Sequence, residues 1–203
     1  MSLQEQSDTH DLHGNVPDCS HVALVIIDVI NDLEFPEGGE LLPYALQMAG
    51  SLRRLKARCR EAQVPAIYVN DNFGRWRSDF NVQLEHCLRD DVRGRPLAEI
   101  LRPEPEDYFV LKPKHSGFFA TTLDTLLKYL QVRTLILTGL TGDNCVLFTA
   151  NDAYMRDFEL FVPADCVASW SPDSNHFALQ QMRRTLKAEI RPSSDIPLQI
   201  MKP

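Results

Sequence analysis

Val22-Ala-Leu-Val-Ile-Ile27, closed by Asp28, is the stretch that decides the fold. Six apolar residues in a row, four of them β-branched and none alternating with polar ones, read as a strand buried on both faces. Such a strand belongs in a parallel sheet with helices on either side. Working outward, a Gly38-Gly39 turn precedes Pro43, which is expected to start a helix. Its apolar face would be Ala45, Met48, Leu52, Leu55, Cys59 and Ala62, at steps of three and four. Short apolar strands are then predicted at Pro65 to Val69 and Tyr108 to Leu111, followed by a helical stripe of Leu123, Leu126, Leu127 and Leu130. Next come a strand at Thr134 to Thr138, a helix from about Cys145 to Arg156 and a strand at Leu160 to Pro163. A helix opened by Ser171 and Pro172 and a last short strand near Ile190 complete the series. Repeated βα units predict a parallel sheet covered on both faces.

The chain has 203 residues, 44% hydrophobic and 24% charged, which is globular and excludes wholesale disorder, collagen-like repeats and a coiled coil. The formal net charge of −7 opposes binding to phosphate backbones or anionic lipid, so no nucleic-acid or membrane partner is expected. No apolar run reaches the roughly 18 residues that span a bilayer. The opening Met1-Ser2-Leu3-Gln4-Glu5-Gln6 lacks the basic and apolar regions of a signal peptide, so a soluble, cytoplasmic protein is expected. Residues 1–20 are polar and turn-rich and read as an arm, with residues 21–203 forming one domain. Five scattered cysteines without a Cys-x-x-Cys pair indicate neither a disulfide framework nor a zinc site. The segment Asn70 to Pro105 has no clear period and reads as a long loop with short helices, of the kind that lines a site.

In open α/β sheets ligands bind beyond the carboxyl ends of the strands. Three reactive groups terminate apolar strands: Asp28 after the first, Lys112 after Tyr108-Phe-Val-Leu, and Cys145 after the turn Gly139-Leu-Thr-Gly-Asp-Asn144. Singly, each has a bland reading as a cap or turn former, a solvated cation and a small buried apolar residue. Together they form a chemical unit. An ordinary thiol and an ordinary Asp differ by about 4.6 pK units, a gap of about 6 kcal/mol for proton transfer. A helix start and a nearby ammonium favour thiolate, and partial burial raises the carboxylate, so the trio is expected to narrow that gap from both sides. The glycine turn adds backbone N–H groups at a helix start, suited to binding a carbonyl oxygen that becomes negative.

Leu24-Val-Ile-Ile-Asp28-Val-Ile-Asn31-Asp32, Lys112-Pro-Lys-His-Ser116-Gly-Phe118 and Thr138-Gly139-Leu-Thr-Gly-Asp-Asn-Cys145-Val146, continuing into Thr149-Ala150-Asn151-Asp152-Ala153, resemble the isochorismatase-like cysteine hydrolases. That family includes isochorismatases, nicotinamidases and N-carbamoyl amidohydrolases. The resemblance implies a three-layer α/β/α fold with a six-stranded, mainly parallel, Rossmann-like sheet in the order 3-2-1-4-5-6. It implies Cys145 as nucleophile, Asp28 as the base that takes its proton and later activates water, and Lys112 as the cation holding both. It also implies a cis Leu140–Thr141 peptide and an oxyanion hole from the backbone N–H groups of Thr141 and Cys145. In that strand order Lys112 ends a strand about 10 Å from Asp28, so the loop after it is expected to fold inward. Homodimers or homotetramers are implied as well.

The departures bear on substrate. Ile30 stands where the family often has Gln. The Asp-x-His of metal-dependent nicotinamidases is here Asp71-Asn72-Phe73, which disfavours a metal. A retained Cys145 favours a cofactor-free hydrolase of a C–N bond, amide or carbamoyl, in a small molecule. The alternatives are a vinyl-ether hydrolase driven by Asp28 and a catalytically idle ligand-binding subunit on the same fold. Asn72, Trp76 and Arg77 are candidates for holding the substrate and read equally as a capped loop with Trp76 packed on the core. Phe118 and Phe119 are offered as a pocket floor, with core packing the commoner fate. His86, His115 and His176 each qualify by type as a general base, with no motif assigning the role.

Overall fold

The computed structural model describes residues 19–198 apart from 75, 78 and 90. Of the expected arm, only Cys19 and Ser20 fall inside that range, and Ser20 N donates to Leu130 O at 2.9 Å. Strand β1 (Val22–Ile27) is wholly buried, with Leu24 and Ile26 facing one core and Ala23, Val25 and Ile27 the other. The uninterrupted apolar run thus supplies two opposite faces of one strand. Helix α1 (Gly38–Glu61) covers the first face through Leu41, Ala45, Met48, Leu52 and Leu55. It begins before Pro43 because Glu37 O already accepts from Glu40 N and Leu41 N, leaving Pro43 in the second turn, where its missing N–H removes a single ladder bond.

Strand β2 (Ala66–Asp71) follows, then two short helices in the aperiodic segment, α2 (Phe80–Cys87) and α3 (Arg95–Ile100), then β3 (Tyr108–Lys112) and α4 (Leu123–Tyr129). Strand β4 (Thr134–Leu140) outlasts its expected end at Thr138 and enters a π-helical turn, Gly142–Val146, leading into α5 (Leu147–Tyr154). Strands β5 (Glu159–Phe161) and β6 (Val167–Ala168) precede α6 (Pro172–Leu186). Ser171 and Ser174 close a reciprocal capping box at the start of α6, with Pro172 in its first turn. Helices α4, α5 and α6 cover the second face through Leu123, Leu127, Ala150, Ala153, Leu179 and Met182.

The six-stranded sheet runs β3-β2-β1-β4-β5, every pairing parallel, with β6 also on β4. The three-layer reading holds, with one correction. The last strand is not near Ile190, where Glu189 makes only an isolated bridge to Phe161. It is Val167–Ala168, which pairs Gly139 and Leu140 beyond the end of the three-residue β5. The two extra residues of β4 expose an edge that β5 is too short to cover. A two-residue strand carries no periodicity, so its sequence gave no signal. Among the described residues no helix is long and apolar enough to cross a membrane.

Candidate active site

Asp28 leaves β1 with φ of 53°, a left-handed conformation that Asp tolerates better than most residues, while its N–H still donates to Val69 O at 3.0 Å. The turn aims the carboxylate across the end of β2. Its Oδ1 accepts from Asp71 N at 2.7 Å and its Oδ2 lies 2.9 Å from Lys112 Nζ. Lys112 is the last residue of β3, in register with Asp71, and is fully buried. The expected inward fold of the following loop is not what closes the distance: the long Lys112 side chain itself crosses from β3 past β2 to the end of β1. Its Nζ reaches Cys145 Sγ at 3.5 Å and Asp71 Oδ2 at 3.5 Å.

Cys145 is placed by the turn after β4. Gly139 has φ of 105°, and a Cβ there would lie 2.1 Å from Ile27 O, so β4 passes β1 closely only because the residue is glycine. A Cβ on Gly142 would meet Asn175 Oδ1 at 2.4 Å and Val167 Cγ1 at 2.7 Å. The Leu140–Thr141 peptide is cis. Two bonds lock the lysine segment onto the cysteine helix: Gly117 N donates to Thr149 Oγ1 at 2.9 Å, and Thr149 Oγ1 donates to Cys145 O at 2.7 Å. Ser116 Oγ also bonds the Asp152 carboxylate. Motifs about 30 residues apart are thereby held as one unit.

Burial raises the Asp28 pKa, against the opposing pull of the Lys112 ammonium and the hydrogen bonds it accepts. Lys112 is itself disfavoured as an ion by burial, but Asp28, Cys145 and Asp71 outweigh this and raise its pKa. The Cys145 thiol is pushed up to about 12, first by burial and then by the negative Asp28, with Lys112 opposing. This corrects the expectation of a thiolate favoured by its surroundings. The carboxylate side of the gap narrows and the thiol side widens, because desolvation of the sulfur exceeds the help of one ammonium already shared with two carboxylates.

The candidate substrate residues are dispersed. Asn72 is half-buried, accepts from Gly74 N at 2.9 Å, and lines a cavity of about 340 Å³ with Asp32, Phe35, Phe73, His86 and Leu111. Trp76 is 76% exposed and Arg77 is exposed, so Trp76 is not packed into the core. Phe118 is buried, with its ring centroid 6.0 Å from that of Phe158 and the Arg156 guanidinium 4.7 Å over it, while Phe119 is exposed. Of the three histidines, His86 pairs with Asp32 at 2.8 Å, His176 stands beside Phe177, and only His115 reaches the sulfur, with Nδ1 3.9 Å from Sγ. At the place of the nicotinamidase metal ligands, Asp71 is drawn to Lys112 and Phe73 offers no donor atom, so these residues do not fit a metal.

Two neighbours of the trio escaped the sequence reading. Asp71 is the last residue of β2, two residues past the expected end of that strand at Val69, so the rule of a polar residue closing an apolar strand passes it by. Asn70 is fully buried, donates through Nδ2 to Ile30 O at 2.7 Å and so holds the backbone just after Asp28. It directly follows the expected strand Pro65 to Val69, so the rule of a polar residue closing an apolar strand would have found it.

The isochorismatase domain pattern matches residues 22–191 of the chain. The isochorismatase family protein YaaI of Bacillus subtilis (strain 168) is 42% identical, over 86% of this chain and 95% of its own length. The ureidoacrylate amidohydrolase RutB of Methylobacterium radiotolerans is 39% identical, over 76% of this chain and 70% of its own. Among solved structures, N-carbamoylsarcosine amidase from Thermoplasma acidophilum superposes with a TM-score of 0.65 at 28% identity, covering 87% of this chain and 98% of that one.

Proposed function

The chain belongs to the isochorismatase family of hydrolases, and from that premise we propose that it cleaves a C–N bond, amide or carbamoyl, of a small molecule through an acyl-thioester on Cys145. The observation that carries the reading is Lys112 Nζ, 2.9 Å from Asp28 Oδ2 and 3.5 Å from Cys145 Sγ at the carboxyl ends of the strands. The names of two relatives, an amidohydrolase and an amidase, support the same bond class.

The thiol proton moves to Asp28 as the Sγ–C bond forms. Negative charge passes from the carboxylate to the substrate oxygen, where the backbone N–H groups of Thr141 and Cys145 stabilise it. Lys112 contacts both donor and acceptor of that proton. Collapse of the adduct expels the amine, and water then releases the acyl group. Asp28, raised by burial, is a better match to this task than an ordinary aspartate, since general bases work best with a pKa near the operating pH.

The test is ammonia or amine release from a panel of carboxamides, ureido acids and carbamoyl compounds, with Cys145→Ala and Asp28→Asn as controls. Turnover by the unmodified chain, lost in both variants, supports the reading. Turnover retained by Cys145→Ala sinks it in favour of vinyl-ether chemistry driven by Asp28. Absence of turnover on the whole panel sinks it in favour of a ligand-binding role.

A further inference from the structure

The sulfur of Cys145 has two sides. Lys112 and Asp28, both buried, occupy the inner one, and the exposed ring of His115 occupies the outer, with Nδ1 3.9 Å from Sγ. His115 is not a loose surface side chain. Its ring leans on Phe148 of α5, centroids 5.4 Å apart, and the next two residues are fastened to the same helix, Ser116 to Asp152 and Gly117 to Thr149. The imidazole is therefore fixed relative to Cys145 by the contacts that fix the lysine segment. A substrate carbonyl bonded to the sulfur, with its oxygen toward Thr141 and Cys145 N–H, leaves its departing nitrogen one bond beyond the attacked carbon. Nδ1 is the titratable nitrogen on that open side.

We propose that His115 is a second catalytic acid–base group, which protonates the departing nitrogen and then takes a proton from the hydrolytic water. The proposal rests on the amide-cleaving reading above and divides the proton traffic in two. As Sγ attacks, the S–H proton goes to Asp28, the C–S bond forms and the carbonyl π pair moves to oxygen. As C=O reforms, the C–N bond breaks and the nitrogen takes the Nδ1 proton of the imidazolium. Water then attacks the thioester and gives a proton to neutral His115. The C–S bond breaks and the sulfur recovers its proton from Asp28. One water is consumed, one amine and one acid leave, and every group returns to its starting state. Histidine suits the second role because its charge changes near neutral pH. The groups around the ring are Cys145, with Lys112 and Asp28 behind it, on the inner side, and the apolar Phe148 on α5. Exposed Lys114 precedes it, and Asp152, paired with Arg156 at 2.9 Å, lies beyond Ser116.

The leaving group provides the test. The best amide of the panel is compared with p-nitrophenyl acetate, whose phenolate departs without a proton, in the unmodified chain and in His115→Gln, which keeps hydrogen bonding but cannot relay a proton. The expected result is a loss of about 100-fold in amide kcat/KM, with ester kcat/KM, which ends at acylation, changed by less than about 3-fold and ester kcat lowered as deacylation slows. Because His115 is exposed, an ester kcat/KM at its normal value certifies the fold. Amide kcat/KM within about 3-fold of the unmodified chain, or equal loss of kcat/KM on both substrates, overturns the proposal while leaving the Cys145 chemistry standing. An unmodified chain inert to every amide defeats both at once.

Discussion

Replacing Lys112 with methionine keeps the length of the side chain and removes its charge. The perturbation falls on a fully buried ammonium that lies 2.9 Å from one carboxylate and 3.5 Å from another. At an effective dielectric of about 20, a unit pair at that shorter distance is worth about 6 kcal/mol before desolvation is counted. Removing one partner of a buried pair, with the other left behind, typically costs about 3–5 kcal/mol, or roughly 6–20 °C in Tm for a domain of this size. The cost depends on pH in a defined direction. Burial already raises Asp28 above its ordinary value, and losing Lys112 raises it further. A carboxyl whose folded pKa exceeds its unfolded one stabilises fully below the unfolded value, and that contribution disappears as pH rises through the folded value. The Lys112→Met deficit is therefore small in acid, where Asp28 is protonated, and reaches full size above the raised pKa. Thermal unfolding across pH 4 to 8, beside an Asp28→Asn/Lys112→Met double variant, measures it. The double variant should recover most of the stability and none of the activity. Equal deficits for the single variant at both ends of the range, or no recovery in the double, would refute the electrostatic account.

Three further outcomes are expected. With its thiol pushed up to about 12, Cys145 should alkylate slowly with iodoacetamide at neutral pH, and Asp28→Asn, which removes a charge opposing thiolate, should move the rate profile to lower pH by mass spectrometry. A profile unchanged by that substitution would show that Asp28 does not act on the sulfur. Gly142→Ala places a methyl 2.4 Å from Asn175 Oδ1 and should destabilise by about 1–3 kcal/mol in denaturant titrations, displacing the turn that carries Cys145. Thr149→Val keeps the shape of a buried side chain but removes its bonds to Gly117 N and Cys145 O. It should cost about 1–3 kcal/mol and lower kcat more than it raises KM, because it loosens the lysine segment from the cysteine helix.

The parts of this molecule that were readable from sequence are those set by short-range rules. An unbroken apolar run announced β1, and the apolar stripe of α1 and the serine–proline start of α6 followed from spacing and capping. Polar residues closing apolar strands pointed to Asp28, Lys112 and Cys145. What escaped depends on lengths and directions that no local pattern encodes. The position of β6 follows from β4 running two residues past its expected end, and the closing of the site follows from the reach of one lysine side chain rather than from a loop. Trp76 illustrates the same limit: an aromatic in a polar loop fits a pocket wall or a core anchor equally well, and its exposure removes only the second reading. The thiol was misjudged for a different reason. Its charged neighbours are visible in sequence, but the desolvation that outweighs them is a property of the packed site.

That desolvation gives Asp71 a part in the proposed chemistry. At rest the buried ammonium of Lys112 is balanced by Asp28, 2.9 Å away. Once Asp28 has taken the thiol proton it is neutral, and an ammonium with no exposed surface would lose its counter-ion just when the acyl-thioester must persist. Asp71, whose Oδ2 lies 3.5 Å from the same nitrogen and whose side chain is 30% exposed, keeps the cation paired through that interval. Its partial exposure matters. A second fully buried carboxylate would compete with Asp28 for the proton, whereas solvent offsets the desolvation cost of a carboxylate it can reach. Asp71→Asn should accordingly leave the fold and the first acylation largely intact while slowing turnover, with acyl-enzyme accumulating in rapid-quench mass spectra. A variant that acylates and deacylates at the normal rate would show that Asp28 alone suffices to hold Lys112 through the cycle.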